Sequence, residues 1–206
     1  MNKYLTELIG TFFLFLTIGL AVTGHVADAP LAIGAALGVM VYAGGHVSGA
    51  HYNPAVTAAV WLRGRCATAD VVPYWAAQVI GSSLAAVLVS HFNGGAAAAG
   101  TFPSAHKILA AEFLFTFALC YVVLNVATAK VNANNSFFGL AIGLTVMVGA
   151  TVVGPISGGA FNPAVAIGAT VLGLFKAGNL WMYLGAEFAA AIAAALVFKV
   201  ANPTDV

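Results

Sequence analysis

Long apolar runs separated by short polar breaks set the plan of this chain. Leu5 to Thr23 is long enough to cross the roughly 30 Å hydrocarbon layer, with Lys3 just before it. A secretion signal would also begin this way, but the run is longer than a typical signal core and carries Glu7, whose counterpart recurs in the second half. It is read as the first spanning helix. A second span, Leu31 to Gly45, is entered through Asp28-Ala29-Pro30, where proline suits a helix start. Further spans run from Val71 to Phe92, Lys107 to Ala127, Phe137 to Val153 and Trp181 to Val200. The Gly/Ala-rich stretch from Asn93 to Ala105 carries no motif.

Two apolar segments are too short to cross. Asn53 to Leu62 is followed at once by Arg63-Gly64-Arg65, and Asn162 to Leu174 lies between the last two spans. Both have the profile of a half-helix. Each is preceded by a related motif: His46-Val47-Ser48-Gly49-Ala50-His51-Tyr52-Asn53-Pro54-Ala55-Val56 in one case, and Pro155-Ile156-Ser157-Gly158-Gly159-Ala160-Phe161-Asn162-Pro163-Ala164-Val165 in the other. The second copy lies 109 positions after the first. Other features align as well: Glu7 with Glu112, and Gln78 with Glu187. An internal duplication is therefore expected, with repeats of approximately 1–100 and 106–206 inside one transmembrane domain covering 1–206. Three spans per half is odd, so the second half must lie upside down relative to the first.

Composition settles the environment. With 62% hydrophobic and 6% charged residues, the chain is an integral membrane protein, and the lipid bilayer is its first partner. A net charge of +1 gives no case for nucleic acid. Cys66 and Cys120 show no metal-ligand spacing and are read as unpaired apolar fillers, and neither a metal nor a cofactor is expected. Placing the amino terminus inside puts Lys3, Arg63, Arg65, Lys130 and Lys199 on the cytoplasmic side and only Lys107 and Lys176 outside. Both termini are then cytoplasmic.

Inverted repeats with interrupted segments bring half-helix N-termini to the bilayer midplane. Irregular backbone at that depth must line water or be buried in protein. The carbonyls of 46–52 and 155–161 are expected to face a pore, with His46, Ser48, Gly49, His51, Ser157 and Gly158 lining it. Asn53 and Asn162 would each present an amide donor at the positive end of a half-helix. A lone Asn-Pro-Ala is simply a capped helix, because Pro54 and Pro163 suit a first helical turn. Its repetition in opposed halves favours the pore.

On these residues the chain resembles the aquaporins, the major intrinsic protein family. The resemblance covers essentially the whole chain and both Asn-Pro-Ala signatures, Asn53-Pro54-Ala55 and Asn162-Pro163-Ala164. It implies an all-α membrane fold of six transmembrane helices plus two re-entrant half-helices, a homotetramer with one pore per subunit, and Glu7 and Glu112 as braces of the re-entrant loops. It assigns no pore role to Glu187, which is read as an interior polar residue at a helix crossing.

The resemblance also implies a four-residue constriction on the extracellular side, which by counting from the signatures falls on Ile33, Ala150, Gly159 and Val165. Orthodox water channels hold an arginine at the last position and usually an aromatic and a histidine at the first two. Ile, Ala, Gly and Val neither narrow a pore nor hydrogen-bond its contents, so a wide apolar collar is expected, suited to glycerol, urea, ammonia or hydrogen peroxide as well as water. His51 is read as a neutral ring bonded to loop backbone, with pH gating as the alternative.

Three function classes follow: a passive channel for small neutral solutes, a closed-pore structural or adhesion protein on the same scaffold, and a proton-coupled transporter. The last would need charged residues in the spans, and apart from Glu7, Glu112 and Glu187 there are none. No nucleophile or phosphate-binding loop argues for an enzyme. A bacterial-type plasma membrane is the expected location.

Overall fold

A computed structural model describes residues 1–100, 102 and 104–205. Among them eight α-helices follow one another: α1 Asn2–Thr23, α2 Ala29–Ser48, α3 Pro54–Leu62, α4 Thr68–Phe92, α5 Ala105–Val123, α6 Phe138–Ser157, α7 Pro163–Leu172 and α8 Leu180–Ala201. Six of these, all but the short α3 and α7, are long and apolar enough to cross a membrane. Leu31, Val72, Leu84, Leu140, Trp181 and Leu196 stand exposed on their outer faces, an apolar exterior that water does not tolerate at this density and lipid does. The protein is an all-helical, multi-pass membrane protein.

Helix ends follow from local chemistry. Helices α2 and α6 both stop on a left-handed glycine, Gly49 (φ 83°) and Gly158 (φ 93°), whose N–H groups return to the Gly45 and Gly154 carbonyls. These ends lie beyond the expected Gly45 and Val153. His46 and Pro155 to Ser157 are therefore helical, and the irregular loops shrink to residues 49–53 and 158–162. Helix α5 widens after Val123 into a π-helical turn, Leu124–Thr128.

The main pairings are α1 with α4, α2 with α6, and α5 with α8. Helices α2 and α6 cross through glycines: a Cβ on Gly34 or Gly143 would run into the backbone carbonyl of the other, and Gly38 faces Gly139 in the same way. In lipid, where burial of apolar surface gives little drive, such close backbone packing is what holds helices together. On α4, Gly81 lies against the Leu8 carbonyl of α1, and Ser82, Ala85 and Ala86 are buried beside it.

At one end of the bundle the chain locks on itself. Arg63, which caps the end of α3, turns inward rather than to solvent. Its side chain is only 2% exposed and donates to Asp205 at 2.8 Å and to the Thr128 hydroxyl and carbonyl in the π turn. Its guanidinium lies 4.7 Å from the centre of the Phe198 ring. Asp205 also accepts from the Lys130 backbone N–H at 2.8 Å. At the opposite end, the stretch expected to carry no motif closes over α7: Ala97 N–H donates to the Leu172 carbonyl and Gly100 N–H to that of Leu174.

Candidate functional site

The two short loops leave α2 and α6 and enter α3 and α7 with backbone that side chains seldom adopt. Ala50, Tyr52 and Phe161 all have φ near 50°, the left-handed region. Such conformations persist only where the surroundings dictate them. In the first loop the surroundings are Glu7. One carboxylate oxygen accepts from the Ser48 hydroxyl at 2.7 Å and His51 N–H at 2.9 Å, and the other from Tyr52 N–H at 2.6 Å and the Gln78 amide at 2.9 Å. In the second loop Glu112 accepts from Ala160 N–H at 3.1 Å and Phe161 N–H at 2.8 Å. Both glutamates are fully buried.

Behind each loop a tyrosine ties down the end of the preceding helix. Tyr74 donates to the Ser48 carbonyl at 2.7 Å, and Tyr183 to the Ser157 carbonyl at 2.6 Å. Tyr52 and Phe161 fill the interior: a Cβ on Gly10 would overlap the Tyr52 ring and one on Gly44 its hydroxyl, and Phe161 presses on Gly149. Tyr52 and Phe161 stood out in sequence as the aromatic position of the repeated motif, whereas Tyr74 and Tyr183 did not stand out. The 109-residue offset between the two donor tyrosines was the available signal.

Asn53 and Asn162 each cap a half-helix. The Asn53 side-chain oxygen accepts from Ala55 and Val56 N–H, and that of Asn162 from Ala164 and Val165 N–H. Their amide nitrogens cross to the opposite loop: Asn53 donates to the Phe161 carbonyl at 2.8 Å, and Asn162 to the Tyr52 carbonyl at 2.9 Å. The capped-helix and cavity-facing roles are thus simultaneous. A primary amide has two hydrogens, so each asparagine retains one.

Both asparagines line a cavity of about 810 Å³, as do Ile33, Ala150, Gly159 and Val165, together with Asn93, Ala97 and Phe102. A second cavity of about 520 Å³ is lined by Ser48, Gly49, Arg65, Thr128 and Lys130. His51 borders both. Its ring nitrogen Nδ1 pairs with the Thr57 hydroxyl at 3.1 Å, not with loop backbone as expected, and Thr57 also accepts from the Gln78 amide at 3.0 Å.

Among the residues expected to line the loops, Ser48, Gly49, His51 and Gly158 border the cavities. Two need correction because α2 and α6 run further than expected. His46 lies exposed in the last turn of α2 and borders neither cavity. Ser157 is buried at the end of α6, behind the loop, where its hydroxyl accepts from Gly159 N–H at 3.2 Å. Glu187, left without a role by sequence, accepts from the backbone N–H of Asn162 at 3.0 Å.

A family model described as "Major intrinsic protein" matches residues 1–198. Among curated relatives, "Aquaporin NIP1-3" of Oryza sativa subsp. japonica is 40% identical, over 99% of this chain and 75% of the relative. "Glycerol uptake facilitator protein-like 6" of Lactiplantibacillus plantarum is 37% identical over the full length of both. In fold, the chain is similar to the solved aquaglyceroporin from Plasmodium falciparum, with a TM-score of 0.82, 20% identity, and coverage of 98% of this chain and 97% of that one.

Proposed function

This chain belongs to the major intrinsic protein family, and from that membership, which makes it a passive channel for water and small solutes such as glycerol, we propose a specific pore and selectivity. The permeant passes between Asn53 and Asn162, each offering its second amide hydrogen at the positive end of a half-helix. Carbonyls of residues 49–51 and 158–160 supply acceptors on either side. The observation that carries this reading is that both asparagines and all four of Ile33, Ala150, Gly159 and Val165 border one cavity.

Ile33, Ala150, Gly159 and Val165 form the constriction. No cationic or aromatic side chain stands among them, so the collar neither narrows sharply nor hydrogen-bonds the permeant. Glycerol, urea, ammonia and hydrogen peroxide are its substrate class together with water. With no fixed positive charge in the collar, cation exclusion rests on the opposed half-helix dipoles. Introducing one supplies the test: Val165→Arg lowers glycerol and urea flux into proteoliposomes more than water flux. Equal loss of all three, or no change, counts against this placement.

The two halves, 1–100 and 106–206, act as inverted repeats in one channel domain. Lys and Arg placement puts both termini in the cytoplasm, in a plasma membrane. The cavity ending at Ser48, Gly49 and Lys130 is then the cytoplasmic vestibule, and the larger one opens outward. The family is one of channels rather than enzymes, and no reaction chemistry is assigned to the site. Assembly as a homotetramer, one pore per subunit, follows from family resemblance. Neither a closed-pore adhesion scaffold nor a proton-coupled transporter finds support.

A further inference from the structure

The two loop braces differ in one respect. Glu7 receives four donors and is saturated as an anion. Glu112 receives two backbone N–H groups and the Ser157 hydroxyl, much as Glu7 receives Ser48, but where Glu7 meets the Gln78 amide Glu112 meets another carboxyl, Glu187 of α8, within hydrogen-bonding contact. Glu187 is fully buried; its Oε1 accepts from Asn162 N–H at 3.0 Å, and its Oε2 has no donor. The first repeat places Gln78 at the corresponding position, where an amide donates to Glu7.

Two ionised carboxylates in contact inside a membrane protein would repel strongly and leave Oε2 unsatisfied. Among the described residues no cationic side chain faces either of them. The titratable groups facing Glu187 are Glu112 and Cys120 on α5 and Tyr183 on its own helix, whereas α3 and α7 present none. The Tyr183 hydroxyl is already committed to the Ser157 carbonyl. One proton on Oε2 resolves both problems, because it converts the orphan acceptor into a donor toward Glu112.

We propose that Glu187 is a positioning residue of the outer loop and works as a neutral acid, its Oε2–H donating to the Glu112 carboxylate while its Oε1 holds the N–H of Asn162. It thereby does for the second loop what the Gln78 amide does for the first, and additionally grips the pore asparagine itself. This inference rests on the placement of Asn162 in the pore.

Infrared spectra of the purified protein at neutral pH, in a detergent free of ester groups, test the proton directly. The wild type shows the C=O stretch of a protonated carboxylic acid above the amide I envelope, and Glu187→Gln abolishes it. Water flux in proteoliposomes tests the positioning: Glu187→Gln, which supplies the same donor and acceptor, stays within about twofold of wild type, and Glu187→Ala, which removes both bonds, falls roughly fivefold or more. Absence of the band from the wild type, its persistence in Glu187→Gln, or equal flux loss in the Gln and Ala variants would overturn the proposal. A wild type without flux would instead defeat the pore placement of Asn162 and leave the band to judge the proton.

Discussion

Asn53 and Phe161 stand 108 positions apart in sequence, yet the side-chain amide of the first donates to the backbone carbonyl of the second at 2.8 Å. The reciprocal bond, Asn162 to Tyr52, is 110 positions long. The half-helices are thus tied head to head by the same groups that cap them. Each asparagine serves as cap acceptor and cross-loop donor, which leaves its second amide hydrogen for the proposed permeant.

Asn53→Asp separates those roles. The carboxylate keeps the cap, but it cannot donate to Phe161 and brings an unpaired charge to the midplane, where ionised groups are costly. Water flux is expected to fall about tenfold or more through loss of the cavity donor and the cross-loop tie. Asn53→Ala also loses the cap, worth about 1 kcal/mol. Because both asparagines hold one junction, the flux losses of Asn53→Ala and Asn162→Ala are expected to combine less than additively. Stopped-flow light scattering reads all of these, and an unimpaired Asn53→Asp channel would contradict the assignment.

Glu7 gathers donors from α2, α4 and the loop, so its loss is expected to destabilise the fold as well as the pore. Glu7→Gln turns one acceptor into a donor that faces other donors, at a cost of roughly 2–3 kcal/mol. The midpoint of SDS-induced unfolding should drop accordingly. A midpoint equal to wild type would mean that the left-handed residues Ala50 and Tyr52 hold their shape without it.

The six spans and both half-helices were legible because lipid demands uninterrupted apolar length, and α3 and α7 fall short of it visibly. The ends of α2 and α6 were not, since they depend on Gly49 and Gly158 taking left-handed backbone, a choice made by loops already braced from behind. Glu187 was noticed through its alignment with Gln78. Its role stayed hidden because its partners are a backbone N–H 25 positions back and a carboxyl on another helix. The burial of Arg63 stayed hidden for a similar reason: Asp205, its partner, lies 142 positions away.

The Asp205 latch carries a pH signature. First the Lys130 backbone N–H and then the Arg63 side chain hold its carboxyl below the usual carboxylate range. A group depressed on folding stabilises fully above its unfolded value, about 3.9 for Asp, and that contribution disappears as pH falls through the lower folded value. The wild type is therefore expected to be more thermostable than Asp205→Asn at neutral pH, with the two converging below about pH 4. Melting curves of both proteins across that interval check this, and a constant gap at every pH would exclude the latch as the source.

Packing between α2 and α6 admits a steric test. Gly143→Leu places a side chain against the Gly34 carbonyl, and backbone cannot yield there without parting the helices. Loss of folded protein on size-exclusion chromatography is expected. A variant that remains monodisperse with wild-type flux would show that the crossing is looser than the contact implies.

The central claim is a solute-permeable pore through a wide apolar collar of Ile33, Ala150, Gly159 and Val165, and the ratio of glycerol to water permeability tests it most directly. Proteoliposomes carrying the wild-type protein, challenged in turn with sucrose and glycerol gradients, are expected to shrink in sucrose faster than empty vesicles and to re-swell in glycerol at a rate well above the empty-vesicle control. Fast water flux with glycerol entry no faster than in empty vesicles would contradict the collar, and no acceleration of either would contradict the channel.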